Sequence, residues 1–140
     1  MATMLFSVAC SNSSDVSKDS GSVVGKWALK TYNGRALPFT GSANADGSIN
    51  RVDSGSITFD SKNTYLLDIR IVNTLGTTIN PQNFSEVGSY AGNSTTGVVM
   101  KQNDLSGGAS GGNFVQVPAT VSGKTLSFSQ LGKPLTFEKQ

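Results

Sequence analysis

From Thr64 to Val72 the chain alternates: Tyr65, Leu67, Ile69 and Ile71 point one way, and Thr64, Asp68 and Arg70 point the other. Successive side chains of an extended backbone project to opposite sides, so this period of two specifies a long strand with one buried face. The same spacing recurs along the chain. Trp27, Leu29 and Thr31 share a face opposite Lys26, Lys30 and Tyr32, and Ile57 pairs with Phe59, Leu126 with Phe128, and Leu135 with Phe137. No stretch carries a convincing amphipathic helix.

Turn chemistry separates these runs. Asn33-Gly34, flanked by Tyr32 and Arg35, is a strong two-residue hairpin signal because both residues tolerate positive φ. Asp46-Gly47, Ser61-Lys62-Asn63, Ser122-Gly123 and Leu131-Gly132-Lys133 mark further reversals. About eight strands follow, near 23–32, 35–40, 49–60, 64–73, 85–91, 95–102, 113–121 and 124–139, the last split by a turn at Gly132. Short antiparallel strands with one apolar face must close into a barrel or stack as a sandwich.

Composition narrows the function classes. The 140 residues suffice for one domain with a core. Charged residues make up 14%, against roughly 25% in an ordinary globular protein, so Ser, Thr, Asn and Gly supply the polar surface. A net charge of +2, with Lys and Arg scattered from Lys18 to Lys139, gives no footprint for nucleic acid. The chain has no histidine and a single cysteine, which removes the commonest general base and metal ligand and any internal disulfide. No enzyme, cofactor or metal site is expected.

Residues 1–22 read as an address rather than a fold. Met4 to Ala9 is a short apolar run ending in a small residue directly before Cys10, and Ser11 to Ser22 is a polar tether unable to fold alone. The layout resembles a bacterial lipoprotein signal, which implies that Cys10 is lipidated, that the protein is anchored to a membrane, and that it resides in the cell envelope. The alternative is a disordered leader with an incidental cysteine. Residues 23–140 then form the folded domain.

Val24-Gly25-Lys26-Trp27, followed by Asn33-Gly34-Arg35-Ala36-Leu37-Pro38, resembles the opening of bacterial lipocalin-like domains, which pair a Gly-x-Trp strand with an Asn-Gly hairpin. Asn63-Thr64-Tyr65, Gly88-Ser89-Tyr90 and Val121 to Leu126 continue the pattern in order. The resemblance implies an all-β, up-and-down antiparallel barrel of about eight strands. It also implies that Trp27, supported by Gly25, plugs one end, with Lys139 of the last strand packing over the indole as a cation–π partner.

Other motifs lack their context. Gly108-Ala109-Ser110-Gly111-Gly112 spells a nucleophile elbow but has no following helix and no histidine partner. Gly123-Lys124-Thr125 echoes a phosphate loop, yet Pro118 stands where that motif needs its first glycine. The nine carboxylates, Asp68 among them, read as surface charge. What remains is the barrel interior, lined by Tyr65, Leu67, Ile69, Ile71, Tyr90, Met100, Phe114 and Phe128, with Val98 as an alternative to Met100.

Two functions fit a monomeric barrel of this kind. One is a binding protein that holds a small apolar or amphipathic ligand inside, for which a cavity of about 300 Å³ or more is expected. The other is a solid barrel that binds another protein through the long loops from Asn73 to Phe84 and from Asn103 to Asn113. In the second case the interior residues are ordinary core.

Overall fold

Every alternating run in the sequence is a strand in the computed structural model, which describes residues 22–103 and 114–140. The elements are β1 (Gly25–Tyr32), β2 (Arg35–Ala36), β3 (Phe39–Ala43), β4 (Ile49–Phe59), β5 (Thr64–Leu75), β6 (Thr78–Asn93), β7 (Gly97–Asn103), β8 (Phe114–Ser122), β9 (Thr125–Gln130) and β10 (Lys133–Lys139). Neighbours are antiparallel throughout, and β1 pairs with both β10 and β4. That double pairing closes the sheet. The result is an eight-stranded up-and-down barrel of the lipocalin-like kind, not a sandwich, with β2 and β3 as an excursion between β1 and β4.

Closure depends on a glycine at the β1–β4 seam. Gly55 faces inward, and a Cβ there would lie 2.9 Å from Leu29 Cδ2 and 3.0 Å from the Asp68 carbonyl. Only a residue without a side chain lets Leu29 cross the seam into the core. The tight turns are those that the sequence marks. Asn33 and Gly34 have φ of 53° and 73°, and Leu131 and Gly132 have 50° and 75°, so both hairpins turn through the left-handed region that matches strand twist. At Ser61-Lys62-Asn63 the Asp60 carboxylate accepts from the backbone N–H of Lys62 and of Thr64, both at 2.9 Å.

Two bulges change which side chains point in. The β1–β10 register shifts between Leu29 and Thr31, so Lys30 is an extra residue and Tyr32 lies opposite Leu135. Simple alternation places Tyr32 outside with Lys26 and Lys30. Instead the bulge turns it inward against the core, while Thr31 turns outward to share a 2.5 Å hydrogen bond with Thr136. A second shift between Val52 and Ser54 keeps Val52, Ile57 and Phe59 on the inner face of β4.

The segment from Asn73 to Phe84, expected as a long loop, is strand. β5 and β6 stay paired in register up to Leu75 opposite Thr78, leaving only Gly76 and Thr77 to turn. The distal hairpin has no apolar alternation because both its faces are solvated, so the backbone ladder rather than burial sustains it. Pro81 is tolerated because β6 pairs with β7 only from Ser89 onward, which leaves Thr78 to Gly88 as an edge among the described residues.

Candidate binding site at the mouth of the barrel

The end of the barrel bearing Gly25 is plugged. Gly25 has φ of 123°, a conformation that lets the chain double back so that Trp27 Nε1 donates to the Val23 carbonyl at 2.8 Å. The indole is 1% exposed. Lys139, paired with Trp27 across the β1–β10 ladder, places Nζ 5.6 Å from the ring centroid and donates to the Ser22 carbonyl at 3.2 Å. The indole and the ammonium thus lie against each other at this end of the barrel.

Above the plug the interior is solid. Leu67, Met100, Leu126, Leu135 and Phe137 are fully buried. Phe128 and Phe137 stack at 5.3 Å between centroids, and Phe59 meets Tyr90 edge-on at 4.8 Å. The Tyr90 hydroxyl donates to the Asp60 carbonyl at 2.7 Å, and burial, then the nearby Asp60 charge, push its pKa upward. Of the residues expected to line a cavity, Tyr65, Leu67, Tyr90, Met100 and Phe128 belong to this packed core, as does Val98. Cys10 and the side chain of Phe114 lie outside the described residues.

A polar-lipped hollow of about 460 Å³ lies outside the plug, around Ser22, Trp27, Ser94, Val121, Lys124 and Lys139. A second, more apolar space opens at the other end of the barrel. Tyr32, Ile69, Ile71, Phe84, Gln130, Leu131 and Lys133 surround a mainly apolar cavity of about 160 Å³. It is smaller than the cup expected for a whole small molecule. A cavity of roughly 150 Å³ with apolar walls nevertheless accepts one benzene-sized group. Ile69 and Ile71 are the two sequence-level candidates that it brings together. Leu131 stands 85% exposed at its rim in a left-handed turn conformation that L-residues with side chains adopt at a cost. Lys133 Nζ sits 5.6 Å from the Tyr32 ring centroid on the same rim. A larger hollow of about 550 Å³ lies elsewhere, around Lys26, Ser54, Ser56, Asp68 and Arg70; it is open and polar, and Ser85 already donates to Asp68.

Beneath the mouth the inner wall turns polar in layers set by the β5–β6 register. Ile69 lies opposite Phe84 at the cavity, Leu67 opposite Glu86 one layer down, and Tyr65 opposite Gly88 below that. Gly88 is needed because the Tyr65 ring crosses directly over it: an added Cβ would stand 2.6 Å from Tyr65 Oη and 2.4 Å from the Lys101 carbonyl. The crossing delivers the Tyr65 hydroxyl to Glu86 Oε1 at 2.7 Å. Burial, followed by the Glu86 contact, pushes the Tyr65 phenol well above its ordinary pKa. Gln130 Nε2 donates to the other Glu86 oxygen at 3.2 Å. Gln102 faces the same interior from β7 beside the Tyr65 hydroxyl, where its side chain offsets part of the upward push on that phenol.

These polar residues were legible but missed. Glu86 continues the inward row of Phe84, Gly88 and Tyr90, Gln102 the row of Val98 and Met100, and Gln130 the row of Leu126 and Phe128. Each row carries its polar residue toward the same end of the barrel, with Phe84 beyond Glu86 on β6. Among the described residues no group of His, Cys, Asp or Glu side chains converges to hold a metal ion. Comparison with protein-family models, with curated proteins and with solved structures finds no match for the chain.

Proposed function

We propose that the chain is a non-enzymatic binding protein whose barrel mouth receives one apolar group, of about benzene size, from a small amphipathic ligand. The observation that carries this reading is the cavity of about 160 Å³ walled by Ile69, Ile71, Phe84 and Leu131, set above a fully packed core. A pocket of this size does not enclose a drug-sized molecule, for which about 300–1,000 Å³ is usual. It supports capture of one end of a ligand, the rest remaining outside. Leu131, apolar and solvated at the rim, adds wall that solubility alone would not favour.

Saturation-transfer NMR with toluene tests the reading. The full chain should transfer saturation to toluene, and Ile71→Trp, which fills the mouth, should abolish it. Equal transfer in both proteins would sink the proposal.

A protein-binding role is the second reading, favoured by Leu75 and Ile79, which are 49% and 68% exposed on the distal β5–β6 hairpin. Placement in a bacterial envelope, with Cys10 as a lipid-modified residue, belongs to the same proposal and draws on the leader sequence alone. Detergent-phase partition of the protein from its native host checks it, and a wholly aqueous protein would count against it.

A further inference from the structure

We propose that the mouth selects an anionic amphiphile, whose apolar group enters the cavity and whose carboxylate stays at the rim on the Lys133 ammonium. The inference rests on the mouth reading above and adds the charge of the ligand's head group.

Lys133 is the one charged residue among those that surround the mouth cavity. Its Nζ lies 5.6 Å from the centroid of the Tyr32 ring, another wall of the same cavity. A cation–π contact of this kind holds the ammonium at the rim without using its three N–H donors. Within the described residues the ion pairs are Lys30 with Glu138 and Arg51 with Asp53, so no carboxylate there neutralises Lys133. Arg35 repeats the arrangement one ring further along: it lies 6.0 Å over Phe39, whose ring meets that of Tyr32 at 5.5 Å between centroids. The aromatic pair beside the cavity thus carries a cation on each ring.

The rest of the cavity fixes which way such a ligand lies. The side chains of Ile69, Ile71, Phe84 and Leu131 are apolar, and Gln130 Nε2 already donates to Glu86. A carboxylate pushed inward would lose its water without gaining a partner and would approach the like charge of Glu86. Turned outward, the same carboxylate meets Lys133 while its apolar group fills the cavity. The β9–β10 hairpin carries both parts of the recognition. Leu131 supplies apolar wall at the turn, and Lys133, opposite Gln130 in the ladder, supplies the charge two residues on. An alcohol gains little from the ammonium that water does not already supply, and a cationic head is repelled.

Isothermal titration of the full chain with 3-phenylpropionate, 3-phenyl-1-propanol and 3-phenylpropylamine keeps ring and spacer constant and varies the head, while toluene reads the cavity alone. At low salt 3-phenylpropionate should bind about threefold to fivefold tighter than the alcohol, the range of one solvent-exposed ion pair, and the amine should bind weaker than either. Lys133→Met keeps the aliphatic stem against the cavity and should bring the acid level with the alcohol. Lys133→Glu should reverse the order of acid and amine. Equal binding of acid and alcohol by the native protein, or an acid preference undiminished in Lys133→Met, would overturn this proposal alone provided that toluene binds. Failure of toluene and all three derivatives to bind would overturn the mouth reading and this proposal with it.

Discussion

The two ends of the barrel solve the same problem in opposite ways. At the Trp27 end the polar atoms of the plug find partners within the chain: the indole N–H meets Val23, and Lys139 meets both the ring and Ser22. Toward the mouth, Leu131 stays wet and the Glu86 carboxylate is buried between neutral donors, Tyr65 and Gln130. A barrel built only for stability would finish both ends like the first. The two ends thus differ in finish: one is closed by a buried indole, and the other leaves an apolar cavity open to solvent, which is the contrast the proposed function rests on.

Substitutions at the two ends break or sharpen that contrast. Trp27→Ala should lose about 3–5 kcal/mol in urea unfolding, the range for deleting a large buried aromatic. Retention of full stability would remove the plug from the comparison. Leu67→Ala should cost about 3 kcal/mol and Ile71→Ala about 1 kcal/mol, because the first leaves a void in packed core and the second only widens an opening. Equal costs would mean that the mouth is as solid as the middle. Gly88→Ala should cost about 2 kcal/mol through overpacking against Tyr65 and Lys101. A neutral result would show that Tyr65 need not cross there.

The pH dependence follows from the same burial. Tyr65 and Tyr90 have pKa values raised by folding, so their stabilisation is complete below the ordinary phenol value of about 10 and is lost as pH rises beyond it. Denaturation midpoints should therefore hold steady to about pH 10 and fall above it, and less so in Tyr90→Phe. At the acid side Asp60, whose carboxyl is held low by its Thr64 and Lys62 hydrogen bonds, contributes above pH 4 or so and loses that contribution below it. The smallest effect has the opposite sign. Leu131→Asn should stabilise by about 0.5–1 kcal/mol, since Asn tolerates the left-handed turn better than Leu. Destabilisation instead would make Leu131 a packing residue and not a binding one.

How far the molecule could be read from its sequence depended on which force set each element. Hydrophobic alternation announced β5, β9 and β10, and Asn33-Gly34 announced its hairpin, because local chemistry dictates both. The hairpin beyond Asn73 was hidden because only backbone pairing holds it. Tyr32 was placed on the wrong face because a bulge is a tertiary adjustment between β1 and β10 that no single strand reveals. The interior list caught the apolar wall and missed the polar end of it. Glu86, Gln102 and Gln130 sit in phase with inward rows, but burial of such residues goes against their usual preference, and the eye follows the preference.

The most direct measurement is a methyl-resolved NMR titration of the full chain with benzyl alcohol. Binding at the mouth predicts saturable shifts at Ile69, Ile71 and Leu131, with Leu126 and Leu135 in the packed interior unmoved. Shifts centred on Leu126 and Leu135, or none at the mouth up to ligand saturation, would contradict it.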